Sequence, residues 1–159
     1  MFRKALWDSM LDADMNARYW SYLSRRYYNY DKYSKIFLAI MSSGTVASWG
    51  FWSETQWLWK GLSAISALLA IAIPIVNWPK MISNMVALKQ YWTEIKIDYE
   101  MSWLELESGK TETDVAKYYK KTKEKEAKVA VKEANMPNSK KLVKRCWLEV
   151  IKSRGLNSS

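Results

Sequence analysis

The chain has 159 residues, room for one ordinary domain, with a net charge of +9, one cysteine and no histidine. A lone cysteine excludes an internal disulfide, and the lack of histidine removes the commonest general base and the commonest metal ligand. No glycine-rich phosphate loop, Cys/His cluster or nucleophile elbow occurs, and solvation accounts for the paired carboxylates Glu105 and Glu107, so no enzymatic activity, metal or cofactor is expected.

The mean hydropathy of -0.33 hides a division. Residues 1–35 carry seven basic and four acidic side chains, residues 36–78 only Glu54 and Lys60, and residues 79–108 a net charge of -2. Residues 109–159 carry fourteen basic and six acidic groups, so nearly all the excess charge lies in the tail. Its natural complement is phosphate, on lipid headgroups, nucleic acid or a nucleotide; a solubilising surface is the plain alternative.

The first predicted element is a helix within residues 1–35, where Leu6, Met10, Ala13, Ala17, Trp20, Ser24 and Tyr27 recur at spacings of four and three. Acidic residues interrupt its start, MFRKALWDSMLDADM, and no apolar segment follows the basic residues as in a signal peptide.

Two uncharged runs come next: IFLAIMSSGTVASWGFWS, eighteen residues, and GLSAISALLAIAIPIVNWP, nineteen. As helices they would reach about 27–29 Å, close to the roughly 30 Å of a hydrocarbon core. They predict membrane spans at 36–53 and 61–78 joined by an external turn at 54–60. Arg25, Arg26, Lys32 and Lys35 precede the first span and Lys80, Lys89 and Lys96 follow the second, while the turn region has Lys60 alone. The positive-inside rule therefore places both termini in the cytoplasm. Trp49, Trp52, Trp57 and Trp59 form the expected outer aromatic belt, with Tyr33 and Trp78 marking the inner one. Ser42, Ser43, Thr45, Ser48 and Asn77 are the polar groups at membrane depth, as pore lining or as helix–helix contacts. Gly44 and Ser48 make a small-xxx-small pair, and Pro74 predicts a kink. The alternative is a hairpin buried within a soluble bundle.

A stalk helix follows over 79–108. Met81, Met85, Leu88, Trp92, Ile95, Tyr99, Ser102 and Leu106 form an apolar seam of coiled-coil type, expected to pack against the antiparallel N-terminal helix. The same phase runs back into the second span with smaller residues, Ser63, Ala67, Ala70, Pro74 and Asn77, as helix contacts in lipid require.

Gly109 suits the position after a helix, and Thr111 with Asp114 reads as a cap. A charged helix is predicted over 112–134, a break at 135–139, and an amphipathic helix over 140–153 with Leu142, Val143, Cys146, Trp147, Val150 and Ile151 on one side, ended by Gly155. The tail reads three ways. It docks on the stalk as a solvated helical pair; it binds a sensor protein or phosphate-rich ligand through Lys120, Lys121, Lys123, Lys140, Lys141, Lys144 and Arg145; or it lies on anionic lipid with Trp147 inserted. Interspersed glutamates argue against direct nucleic-acid binding.

The expected fold is all-α: a membrane protein with a two-span transmembrane hairpin, long cytoplasmic helical extensions and a basic helical tail from 109 to 159. The order of a Tyr- and Arg-rich helix (ARYWSYLSRRYYNYDKYSK), a tight two-span hairpin and a long cytoplasmic helix resembles the SLATT family of bacterial two-span effectors over about residues 15–107. The resemblance implies an inner-membrane effector of antiviral defence that oligomerises and breaches the membrane when a partner sensor or a nucleotide second messenger triggers it. Small two-span accessory proteins of CRISPR signalling have similar layouts. Two helices enclose no lumen, so a pore implies a homo-oligomer of about four or more subunits. The competing expectations are a non-conducting membrane anchor whose basic tail recruits a partner, and a phage-encoded exclusion or lysis factor.

Overall fold

A computed structural model of the protein describes residues 1–42 and 56–156. Among these residues it is all-helical, with no strand. The five helices are α1 (Phe2–Ser42), α2 (Gln56–Val76), α3 (Trp78–Glu107), α4 (Glu112–Glu133) and α5 (Lys140–Ser153). They divide into two compact units: Met1–Ser24 with Asn84–Ser159, and Arg25–Ser83.

The helix ends follow from local chemistry. After α3, Gly109 adopts φ 96°, and two backbone bonds, Lys110 N–H to Glu105 C=O (3.1 Å) and Gly109 N–H to Leu106 C=O (3.3 Å), close a Schellman motif. Gly155 repeats it after α5 with φ 67° and bonds from Leu156 to Ile151 and from Gly155 to Lys152. Thr111 caps α4, its hydroxyl oxygen accepting from the Asp114 N–H at 3.3 Å.

The first unit holds the core. On α3, Met85, Leu88, Trp92, Ile95, Tyr99, Ser102 and Leu106 are all buried, as the seam predicts; Met81 is half-buried. On α1 the buried set is wider than one stripe: Leu6, Met10, Ala13, Trp20 and Ser24 are joined by Ser9, Leu11, Asp14, Met15, Tyr19 and Leu23. The reason is that three helices meet it. Trp7 packs on Trp103 of α3 with ring centroids 5.1 Å apart, and Phe2 meets Tyr119 of α4 edge-on at 5.5 Å. Tyr22 donates to Glu149 of α5 at 2.9 Å. A helix met on three sides buries more of its circumference than one stripe. Ala17 and Tyr27, read from that stripe, are half-buried, and Tyr27 lies in the second unit.

The second unit departs from the expected layout in several places. Helix α1 runs through the anticipated boundary at residue 35 without a break and is described to Ser42. Gln56–Lys60, expected in the turn at 54–60, is already helical; Gln-Trp-Leu-Trp-Lys contains neither glycine nor proline to stop a helix. Helix α2 continues through Pro74, and the bend, 47°, falls at Asn77. Asn77 sits in the left-handed region at φ 48° and closes α2 with a bond from its N–H to Ile73 C=O at 3.2 Å. Pro79 explains the position: its ring would collide with the carbonyl four residues earlier in a continuous helix, but in the first turn of α3 its missing N–H leaves nothing unsatisfied.

That break also resets the helix phase. Ser63, Ala67, Ala70, Pro74 and Asn77, expected to extend the seam, are exposed; Leu62, Ser66, Leu69 and Ile73 form the half-buried stripe of α2. No single helix among the described residues is long and apolar enough to cross a membrane, so the two-span hairpin is not reproduced as drawn from the sequence. The bent pair Lys60–Val76 and Trp78–Glu107 has the length and composition to do so together. Most of the first expected span, residues 43–53, lies outside the described residues.

Candidate functional site

Two surfaces stand out, one in each unit. The first is the outside of α2. Leu68, Ile71 and Ile75 are 68%, 63% and 76% exposed, and Ile65, Val76 and Trp57 are exposed with them. On α1, Ile36 and Ile40 are exposed, as are Tyr28, Tyr30 and Tyr33. Burying a large aliphatic side chain is worth about 1.5–3 kcal/mol, so each of these residues left in water forgoes roughly 1–2 kcal/mol. A contiguous apolar helix with this exposure marks a surface made to be covered.

The anticipated membrane residues are placed as follows. Trp57 is exposed on the first turn of α2, and Trp78 is half-buried at the start of α3. Trp59 lies in α2, its side chain outside the description. Ser43, Thr45, Ser48, Trp49 and Trp52 lie outside the described residues. The Ser42 hydroxyl donates to Ala39 C=O at 3.2 Å and Ser66 to Ser63 C=O at 3.0 Å, so both bond back to their own helices. Asn77 serves the backbone as the left-handed residue at the break.

The second surface is the docked tail. Asp14 of α1 is 3% exposed and faces three cations: Arg18 one turn on (3.1 Å), Lys96 of α3 (3.5 Å) and Arg154 just past α5 (3.8 Å). Burial pushes its carboxyl up, but the Arg18 hydrogen bond and the charges of Lys96, Arg18 and Arg154 outweigh that and hold it below the ordinary carboxylate range. Arg154 also pairs with Glu100, and Arg18 donates to Ser153 at 3.0 Å. On α4, Glu133 accepts from two buried indoles through one carboxylate oxygen, Trp20 at 2.7 Å and Trp92. Tyr99, buried on α3, donates to Glu126 at 2.7 Å; burial first, and then that bond, push its hydroxyl pKa up. The α4–α5 connection is held by Tyr19, whose hydroxyl donates to Pro137 C=O at 3.3 Å and accepts from the Ser139 N–H at 3.0 Å. Both tail helices are thus locked to α1 and α3 by charge-assisted bonds. Of the three readings of the tail, docking on the stalk describes this unit.

The basic residues singled out for a signal lie on α4 and α5. Lys123 pairs with Glu126 at 2.9 Å and lies over the Tyr99 and Tyr119 rings. Arg145 pairs with Glu149 at 2.9 Å and stacks over Tyr22. Lys120, Lys121, Lys140, Lys141 and Lys144 are exposed. Lys121 lines a cleft of about 250 Å³ between α3 and α4, together with Lys125, Asp98 and Glu105. With two acids facing two lysines, that cleft is no anion cradle. Trp147, expected against lipid, is half-buried on the same side of α5 as Cys146 and Val150.

Asp14 and Glu133 were not among the expected functional residues. For Asp14 a signal existed: an acid in phase with Met10 and Ala17 on an otherwise apolar face requires a buried partner. Comparison with known proteins found no matching family model, no similar curated sequence and no similar solved structure.

Proposed function

We propose that the chain is a membrane effector: helix α2 and the apolar end of α1 enter the bilayer, copies associate, and rearrangement of the assembly permeabilises the membrane when the cytoplasmic unit is triggered. This is the role the SLATT resemblance implies, in bacterial antiviral defence at the inner membrane. The observation that carries it is the outward display of Ile65, Leu68, Ile71 and Ile75 on α2, within a nineteen-residue run from Gly61 to Pro79 that contains no charge. Lipid is the solvent in which that face loses nothing. The docked tail supplies a resting state whose polar clamps a sensor protein or nucleotide has to loosen. Expression with the trigger, or reconstitution into dye-loaded liposomes, tests this: rapid loss of membrane potential or dye release supports it, and an unchanged potential with the protein inserted refutes it.

A second reading, a non-conducting anchor, is favoured by the firm docking of the tail with its lysines outward. It is separated by replacing Ser42, Ser43, Thr45 and Ser48 with alanine and Asn77 with glycine, which keeps the left-handed backbone at the bend. An anchor keeps its activity after this change, whereas a pore changes its conductance or toxicity.

A further inference from the structure

Opposite its buried seam, α3 carries a second stripe. Ile97, Met101 and Leu104 recur at spacings of four and three, and each is more than half exposed. These three large apolar residues, spread over about two turns of the stalk and facing away from its buried seam, stay exposed among the described residues. Their neighbours are acidic: residues 94–107 hold Glu94, Asp98, Glu100, Glu105 and Glu107 against Lys96, a net charge of -4. Asp98, Glu100 and Glu105 are paired within the chain to Lys125, Arg154 and Lys110, while Glu94 and Glu107 are exposed at the two ends of the stripe.

Helix α5 has the opposite character. Its core side holds Cys146 and Val150, and directly across from them lie Lys141, Lys144, Leu148 and Lys152, all exposed. Residues 140–153 hold Lys140, Lys141, Lys144, Arg145 and Lys152 against Glu149, a net charge of +4 over the same fourteen-residue length. One leucine, more than half exposed, sits amid three lysines. An apolar stripe with acidic ends and an apolar knob ringed by lysines are complementary in both hydrophobicity and charge.

We infer that the outer stripe of α3 in one chain receives the outer face of α5 from a second copy, Leu148 seating among Ile97, Met101 and Leu104 while Lys144 and Lys152 approach Glu94 and Glu107. The two patches are different surfaces of one molecule, so the contact is head-to-tail. Such contacts close into rings when the rotation permits, the symmetry a membrane pore needs. Like charges disfavour the isologous pairings, α3 on α3 and α5 on α5, and so fix the register. The inference rests on the effector reading for its purpose, not for its test.

The experiment uses the full chain in detergent micelles. Met101→Cys and Leu148→Cys variants are prepared separately, mixed and mildly oxidised; the native Cys146 is fully buried and gives little background. The mixture is expected to cross-link and each variant alone is not. Self-cross-linking of Met101→Cys alone, with none gained on mixing, overturns the head-to-tail arrangement in favour of stalk-on-stalk pairing. As a second arm, Lys144→Glu with Lys152→Glu lowers the assembly's mass by mass photometry, and adding Glu94→Lys with Glu107→Lys restores it. A wild-type chain that is monomeric, or a charge swap that fails to restore assembly while circular dichroism shows intact helices, overturns the proposal. Retention in carbonate-washed membranes is read on the wild type alongside; a monomeric wild-type chain that is still retained overturns the interface and leaves the membrane reading standing.

Discussion

Replacing Asp14 with asparagine keeps the side chain's shape and one acceptor for Arg18 but removes the charge on which Lys96, Arg18 and Arg154 converge. Breaking a fully buried ion pair costs about 3–5 kcal/mol. Here the three cations are each a quarter to a third exposed, so water recovers part of that, and about 2–3 kcal/mol is expected. For a chain of this size that lowers Tm by about 4–12 °C. The assay is thermal melting of the full chain in detergent, followed by circular dichroism. The pH dependence is fixed in sign. Because the folded Asp14 carboxyl lies below its ordinary value, its contribution is fully present above about pH 4 and lost as pH falls through the folded-state value. The gap between wild type and Asp14→Asn should therefore be widest near neutrality and close in strong acid. An unchanged Tm at neutral pH, or a gap that is the same at every pH, would falsify the assignment of Asp14 as the charge that ties the tail to α1 and α3.

Glu133→Ala strands two buried indole N–H groups, those of Trp20 and Trp92, and should destabilise by about 1–3 kcal/mol for each group left unpaired. Glu133→Gln, which keeps an acceptor oxygen, should lose less, and the two melts are compared directly. At the bend, Asn77→Gly should be neutral or mildly stabilising, whereas Asn77→Ala keeps the Cβ but loses the short amide that eases the left-handed backbone, and should melt below the glycine variant by about 1–2 kcal/mol. Equal melts for these two variants would contradict a left-handed residue at this position. Burial raises the Cys146 thiol pKa, so the native protein should resist a thiol reagent at pH 8 and react fully once unfolded in urea. Fast labelling of the folded chain would contradict the placement of α5.

The sequence made some features legible because they depend on neighbours a few residues away. The buried face of α3 from Met85 to Leu106 follows from spacing alone, and Gly109 and Gly155 mark helix ends because each needs a positive φ there. What stayed hidden depends on residues far apart in the chain. Glu133 reads as one more charge on a charged helix until α4 folds back and sets it between Trp20 and Trp92. Asp14 finds Arg154 by the same route. The bend lies three residues beyond Pro74 for a local reason: two prolines compete near the end of α2, and Pro74 is tolerated within the helix while Asn77 and Pro79 together end it. The phase that links Ser63 to Asn77 with the α3 seam does not survive the break, which resets it. Trp147 and Arg145 looked free because an amphipathic helix presents the same pattern to a lipid surface and to a neighbouring helix bundle.

The account depends first on α2 being solvated by lipid. Membranes from cells expressing the full chain are washed in alkaline carbonate and separated by centrifugation, and the protein is followed by immunoblot. Retention in the pellet, with release by detergent alone, is the expected result. Recovery in the supernatant as a dispersed, helical protein would mean that another surface covers Leu68, Ile71 and Ile75, and the membrane role would fall with it.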